Sequence, residues 1–290
     1  MASQRTATLI GLAAILLWAS LAVLTTATGT LPPFQVLAIS FGVAALLGLA
    51  RAALRGGSGW RELRQPWAAL ALSTLALFGY HALYFIALKR APAVEANLLN
   101  YMWPLLIVVF AGLLGGVAVR GGQWVGTLLG LIAAVLLVTR GRGLQVDPAH
   151  VPGYVAALSA AVIWAAYSVL NRRFADVPTA AITVACAGVA ILGSIAHLLF
   201  ERTVVPDATQ WGVLALMGIG PVGAAFWLWD HGTKRGDIAL LGSLSYLAPL
   251  LSTLLLVVSG RAEPHWIQAV AIALLLIGAW LSVRSSGAAR

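Results

Sequence analysis

A chain of 290 residues that is 61% hydrophobic and 9% charged, with a mean hydropathy of +0.93, is not a water-soluble domain, in which about a quarter of residues are charged. Its 18 Lys and Arg exceed its 9 Asp and Glu, for a net charge of +9. These basic residues stand singly or in pairs between apolar runs, so they read as topology determinants and not as a nucleic-acid patch.

Apolar segments run over 7–28, 33–54, 67–88, 94–116, 122–139, 152–171, 178–200, 210–232, 238–259 and 264–283. Each is close to the roughly 20 residues that cross a bilayer as a helix. Segments this continuously apolar fit helices and not the alternating strands of a barrel. The expected fold is therefore an all-α membrane protein of ten transmembrane helices. The first segment follows Arg5 and ends in small residues, as a secretory signal would. Its apolar run is long for a signal, and it has a counterpart later in the chain, so it is read as helix 1.

With the N-terminus inside, twelve basic residues fall in cytoplasmic segments: Arg5, Arg51, Arg55, Arg61, Arg64, Arg120, Arg172, Arg173, Lys234, Arg235, Arg284 and Arg290. Six fall outside: Lys89, Arg90, Arg140, Arg142, Arg202 and Arg261. That bias places both termini in the cytoplasm. The short loops leave no room for a soluble catalytic domain.

A shift of 145 residues lays the chain on itself. Lys89, Arg90, Leu99, Tyr101, Pro104, Leu105 and Leu106 fall on Lys234, Arg235, Leu244, Tyr246, Pro249, Leu250 and Leu251, and Pro33 and Gly48 fall on Pro178 and Gly193. With a shift of 146, Trp18 meets Trp164. The chain therefore divides into repeats at 1–145 and 146–290 with five helices each. Because five is odd, the second repeat is inverted, as in many secondary transporters, whose substrate lies near the midplane between the repeats.

The tryptophan common to helices 1 and 6, and the Lys-Arg to Tyr-x-x-Pro stretch of each half, resemble the EamA-type halves of the drug/metabolite transporter superfamily. Within it, the runs Gly79-Tyr80-His81 and Asn100-Tyr101-Met102-Trp103-Pro104-Leu105 are similar to those of bacterial inner-membrane exporters of aromatic amino acids. The resemblance covers nearly the whole chain. It implies a carrier and a preference for aromatic over aliphatic amino acids.

The residues themselves suggest where a substrate would sit. Pro104 and Pro249 lie near the centres of helices 4 and 9, where a proline frees a carbonyl and kinks the helix. Freed backbone at that depth needs protein or a water-filled cavity beside it. Trp18, Tyr80, His81, Tyr84, Tyr101, Trp103, Trp164 and Tyr246 lie at similar depth, as does Trp227 with a weaker case. Their polar atoms need partners that a hydrated pocket supplies. Trp60, Trp67, Trp124, Trp211 and Trp266 instead fit an interfacial aromatic belt. His81 has no Cys, Asp or Glu at helical spacing, which argues against a metal and for a neutral, hydrogen-bonded ring. His197, near a helix end, is read as a surface residue, and no cofactor is expected.

No Lys or Arg lies near a helix centre, so a phosphorylated substrate would lack its fixed cation. Glu95 and Asp230 sit near Arg90 and Lys234 at helix ends, where both can snorkel or pair. Aromatic faces attract an ammonium, while Asn97, Asn100, hydroxyls and freed backbone serve a carboxylate, which suits free amino acids. With no titratable carboxylate evident in the pathway, the expectation is a passive or weakly coupled carrier, with Asp230 as the group able to overturn it. Glycine pairs Gly42/Gly48 and Gly188/Gly193 serve helix packing, and Gly126/Gly130 has the spacing of a dimerisation motif; the expected working unit is a monomer. Two rival functions are a broad drug or metabolite efflux carrier, possibly proton-coupled, and an intramembrane enzyme using Ser243 or Ser245, for which no acidic partner is at hand.

Overall fold

The computed structural model of the chain describes residues 4–103, 105–106, 109–110, 121–139, 147–174, 176–235 and 247–287, and among the described residues all regular structure is helical. In chain order the helices are α1 (Gln4–Ala19), α2 (Leu21–Ala27), α3 (Pro33–Leu54), α4 (Gly57–Leu63), α5 (Trp67–Arg90), α6 (Ala93–Asn100), α7 (Gly121–Thr139), α8 (Val151–Leu170), α9 (Ile182–Phe200), α10 (Ala208–Ile219), α11 (Ala225–Arg235), α12 (Leu247–Val258) and α13 (Trp266–Gly287). Among the described residues, six stretches are long and apolar enough to cross a bilayer: Arg5–Ala27, Pro33–Leu54, Trp67–Arg90, Val151–Leu170, Thr179–Phe200 and Ala208–Trp229. They coincide within a few residues with the first, second, third, sixth, seventh and eighth expected segments. Shorter apolar helices, Trp124–Ala133 and Trp266–Gly278, fall in the fifth and tenth. The fourth and ninth run partly outside the described residues, as do Pro104, Ser243, Ser245 and Tyr246. Pro249 stands in the first turn of α12.

Two spans are broken where no break was expected. The first bends at Ser20, whose hydroxyl donates to the Leu17 carbonyl at 2.6 Å and whose N–H reaches the same oxygen at 3.1 Å. The eighth carries a π-turn at Gly220–Ala224 between α10 and α11. Pro221 sits in that turn and has no N–H for the regular helical bond, so one residue is accommodated as a bulge.

The main helix pairings each join the first half of the chain to the second: α1 with α11, α3 with α9, α5 with α8 and α7 with α13. Small residues permit the approach. A side chain at Gly48 would collide with Thr183, one at Gly188 with Thr74, and one at Gly193 with Leu37 and Ala38. The Gly126/Gly130 pair is used inside the chain: Gly278 packs on the Gly126 carbonyl and Leu105 on Gly130. A dimer face there is thus not supported.

The connections following α2, α5, α9 and α12 meet at one end of the bundle. Lys89 donates to Thr28 Oγ1 at 2.8 Å and to the Gly29 carbonyl. Arg261 donates to the Thr26 carbonyl at 3.0 Å, and Gln210 to that of Thr28 at 3.1 Å. Gly29 takes φ +58°, a left-handed turn suited to glycine. Both carboxylate oxygens of Glu201 accept from the first free N–H groups of α3, Phe34 at 2.9 Å and Gln35 at 3.1 Å, the place where a helix dipole favours an anion. His197 is not a surface residue: it is 8% exposed, with Nδ1 2.9 Å from Glu201 and Nε2 2.9 Å from Thr203. Its position one turn before Glu201 makes it part of this latch.

Candidate functional site

At the centre of the bundle a cavity is lined by Ile15, Trp18 and Leu21 of the first span, Tyr80, His81 and Tyr84 of α5, Asn100, Tyr101 and Trp103 at and beyond the end of α6, Trp164 of α8, Phe226 of α11 and Ala248 of α12. Residues from six segments converge because α5 and α8 pack together while α1 packs on α11 and α12. Trp164 is the hub. Its ring centroid lies 5.0 Å from Tyr80, 6.1 Å from Phe226, 6.3 Å from Trp18 and 6.4 Å from Trp103. Tyr80 stacks on Tyr84 at 5.9 Å, with only 8° between the planes. These separations are those of favourable offset and edge-on aromatic pairs. The walls enclose about 40 Å³, room for about three water molecules, so an indole enters only if the walls part.

The polar atoms are few and each has a definite role. Trp18 Nε1 donates to the Pro221 carbonyl at 3.1 Å, an acceptor exposed by the π-turn. His81 Nδ1 lies 2.9 Å from the Leu77 carbonyl; the carbonyl can only accept, so a proton is on Nδ1, and in the neutral form of the ring Nε2 is the acceptor. Asn100 Nδ2 donates to the Tyr80 hydroxyl at 3.0 Å, while its buried Oδ1 has no hydrogen-bond partner among the described residues. A buried amide oxygen left unpaired costs stability and is a ready acceptor for an ammonium.

Of the ten expected binding residues, eight line this cavity. Asn97 stands behind it, accepting from the Tyr84 hydroxyl at 2.6 Å and donating to Ser252 Oγ at 2.9 Å. The tenth, Tyr246, is outside the described residues. Trp227 is elsewhere, under the guanidinium of Arg51 at 4.6 Å. Trp60, Trp67, Trp124, Trp211 and Trp266 are all exposed, as belt residues are. Glu95 does not snorkel: it is 6% exposed and faces a separate pocket of about 260 Å³ with Arg261 and His265. The wall residues Ile15, Leu21, Phe226 and Ala248 were not expected; apolar side chains in apolar helices carry no sequence signal for which way they face. Pro221 was visible as a proline inside the eighth segment. Among the described residues lining the cavity none is charged, and none form a cluster of three potential metal ligands anywhere.

Comparison with known proteins bears on this arrangement. A model of the EamA-like transporter family matches residues 5–139 and 151–284. The chain is 49% identical over 278 residues to the aromatic amino acid exporter YddG of Ancylobacter novellus, covering 96% of each chain. It is 27% identical to the exporter of the same name from Escherichia coli, over 87% of this chain and 88% of that one. A solved crystal structure at 47% identity matches 99% of this chain and 100% of its own with a TM-score of 0.77. With the family model matched across both halves, and with membrane-crossing helices around an uncharged aromatic cavity, the chain belongs to the EamA-like transporter family and is a multi-pass membrane transporter of small molecules, not an enzyme.

Proposed function

We propose that this protein exports aromatic and other neutral amino acids across the bacterial inner membrane, by alternating access at the central cavity. The observation that carries the reading is the unpartnered Asn100 Oδ1 within a box of aromatic rings. An amino acid's ammonium is drawn to ring faces and to that oxygen, with His81 Nε2 as a second acceptor. The Tyr80 hydroxyl, which accepts from Asn100, keeps its own proton for a carboxylate, and the indoles of Trp18, Trp103 and Trp164 suit an aromatic side chain. The names of the two YddG relatives point the same way.

The working architecture in this reading is ten spans in two inverted repeats, 1–145 and 146–290. Exchanging the repeats turns the α1–α11 pairing into the α8–α5 pairing and maps the α3–α9 and α7–α13 pairings onto themselves, which supports an internal two-fold axis. Joining of alternate connections at one end also fits ten alternating crossings. Both termini are then cytoplasmic, the Lys89–Arg261–Glu201 latch is periplasmic, and the cavity opens to either side as the halves rock. The carrier acts as a monomer and without obligate proton coupling, since the described cavity wall has no carboxylate to titrate.

Counterflow in liposomes tests this. Labelled tryptophan or phenylalanine should exchange down a gradient with no imposed pH difference, and Asn100→Leu and Trp164→Ala should cut the initial rate at least tenfold at normal expression. Unchanged rates would remove those residues from the pathway. Flux that requires a proton gradient and vanishes in Asp230→Asn would refute the uncoupled mechanism. Quaternary amines that compete as well as tryptophan would instead favour a broad efflux carrier.

A further inference from the structure

Away from the central cavity, between α3 and the π-turn, lies a groove of about 340 Å³ lined by Leu47, Gly48, Arg51, Ile219, Gly223 and Trp227. It is built from two membrane spans, Pro33–Leu54 and Ala208–Trp229, and Leu47 and Ile219 at its rim are 48% and 51% exposed, so it faces the hydrocarbon. The floor is backbone: a side chain at Gly223 would collide with the Gly218 carbonyl, a direct result of the bulge. Arg51 stands in the last turn of α3, and the exposed Trp60 and Trp67 nearby in sequence mark the headgroup level.

Among the described residues the charge at the mouth has one ion pair, and it is a loose one. Arg55 Nη1 holds both oxygens of Glu62, at 2.8 and 2.9 Å, whereas Arg51 Nη1 comes no closer than 4.0 Å. Arg51 is instead stacked on Trp227, its guanidinium carbon 4.6 Å from the ring centroid. Stacking fixes the plane and leaves the N–H edge for an anion. Exposed Arg61 and Arg64 add to the basic surface around it.

We propose that this groove is a binding site for an anionic phospholipid, with one acyl chain lying along Leu47 and Ile219 over the π-turn and the headgroup phosphate on Arg51. Hydrocarbon matches the groove, and a basic residue at the end of a span between helices is the chemistry that selects anionic headgroups. The site is independent of the amino acid cavity and also sits beside it: Trp227 lines the groove while Phe226, its neighbour, lines the cavity.

The test uses the full chain, delipidated in neutral detergent and titrated with short-chain phosphatidylglycerol, phosphatidylcholine or inorganic phosphate, read by native mass spectrometry and by the thermal unfolding midpoint. Phosphatidylglycerol should bind one to one and raise the midpoint; phosphatidylcholine should bind about fivefold more weakly, and phosphate alone should give no shift. R51Q should weaken phosphatidylglycerol by about fivefold, R51K by less, and Ala224→Leu, which fills the groove, should weaken both lipids. Equal affinity for the two lipids, or phosphatidylglycerol affinity unchanged in R51Q or in Ala224→Leu, overturns the proposal. A shift with phosphate as large as with lipid assigns an anion site and overturns it too. Tryptophan counterflow in the same preparations reports the central cavity separately, so loss of one reading leaves the other standing.

Discussion

Asn97 is 0% exposed and ties the halves of the chain together: its Oδ1 accepts from Tyr84 at 2.6 Å and its Nδ2 donates to Ser252, 155 residues away, at 2.9 Å. Alanine at this position leaves the Tyr84 hydroxyl without its acceptor and removes one bond from Ser252, whose hydroxyl also bonds Tyr101. In water each would cost about 1–3 kcal/mol, but interhelical bonds in membrane proteins average about 0.6 and reach about 1.7 kcal/mol, because the lipid-embedded unfolded state finds other partners. Two such bonds give an expected loss of about 1–3 kcal/mol for Asn97→Ala. The Asn97/Ser252 pair alone should show a coupling of about 0.6–1.7 kcal/mol in a double-mutant cycle. Unfolding in mixed micelles measures both, with Asn97→Ala, Ser252→Ala and the double variant. Since Asn97 stands behind the cavity wall and positions Tyr84 there, transport should respond chiefly through a higher KM for tryptophan, with kcat changed less. A coupling inside the additivity error of about 0.3–0.5 kcal/mol, or a kcat collapse at unchanged KM, would refute this assignment.

Trp18→Phe keeps the aromatic packing but leaves the Pro221 carbonyl without this donor. It should lower stability by about 0.6–1.7 kcal/mol and slow tryptophan exchange, measured by unfolding and counterflow. Gly48→Ala should sharply reduce folded protein in size-exclusion profiles because its methyl meets Thr183, and Thr183→Ala in the same chain should recover part of the loss. Glu201→Ala uncaps two α3 N–H groups and His197 together. The midpoint of thermal unfolding should fall, with a loss of about 1–3 kcal/mol, and Glu201→Gln, which can still accept, should lose less.

The six spans seen among the described residues were legible because twenty-residue apolar runs have few alternatives in a chain this poor in charge. The cavity was legible for a related reason: Trp18, Tyr80, His81 and Asn100 are amphipathic groups at a depth where lipid offers no partner. Facing was not legible. In water a helix advertises its buried side by polarity, but here lipid is as apolar as the core, so Phe226 toward the cavity and Trp227 toward the groove look alike in sequence. Asn97 and Asn100, one helical turn apart, illustrate the same limit: both were assigned to substrate, and only Asn100 reaches the wall. The break at Ser20 depends on a hydroxyl returning to the Leu17 carbonyl, a choice many helical serines do not make. His197 was misjudged because its partner Glu201 lies beyond the apolar run and is oriented by the start of α3, far away in sequence.

The latch that joins Lys89 and Arg261 to the end of α2 has an electrical consequence. Each cation donates to neutral oxygens, Thr28 Oγ1, the Gly29 carbonyl and the Thr26 carbonyl, so these direct grips are between charge and dipole, with the Glu201 carboxylate attracting Lys89 from farther away. Such contacts act over a few ångströms, well inside the Debye length of about 10 Å at 0.1 M salt. Added salt should therefore loosen these contacts less than it loosens a pair of fully exposed opposite charges.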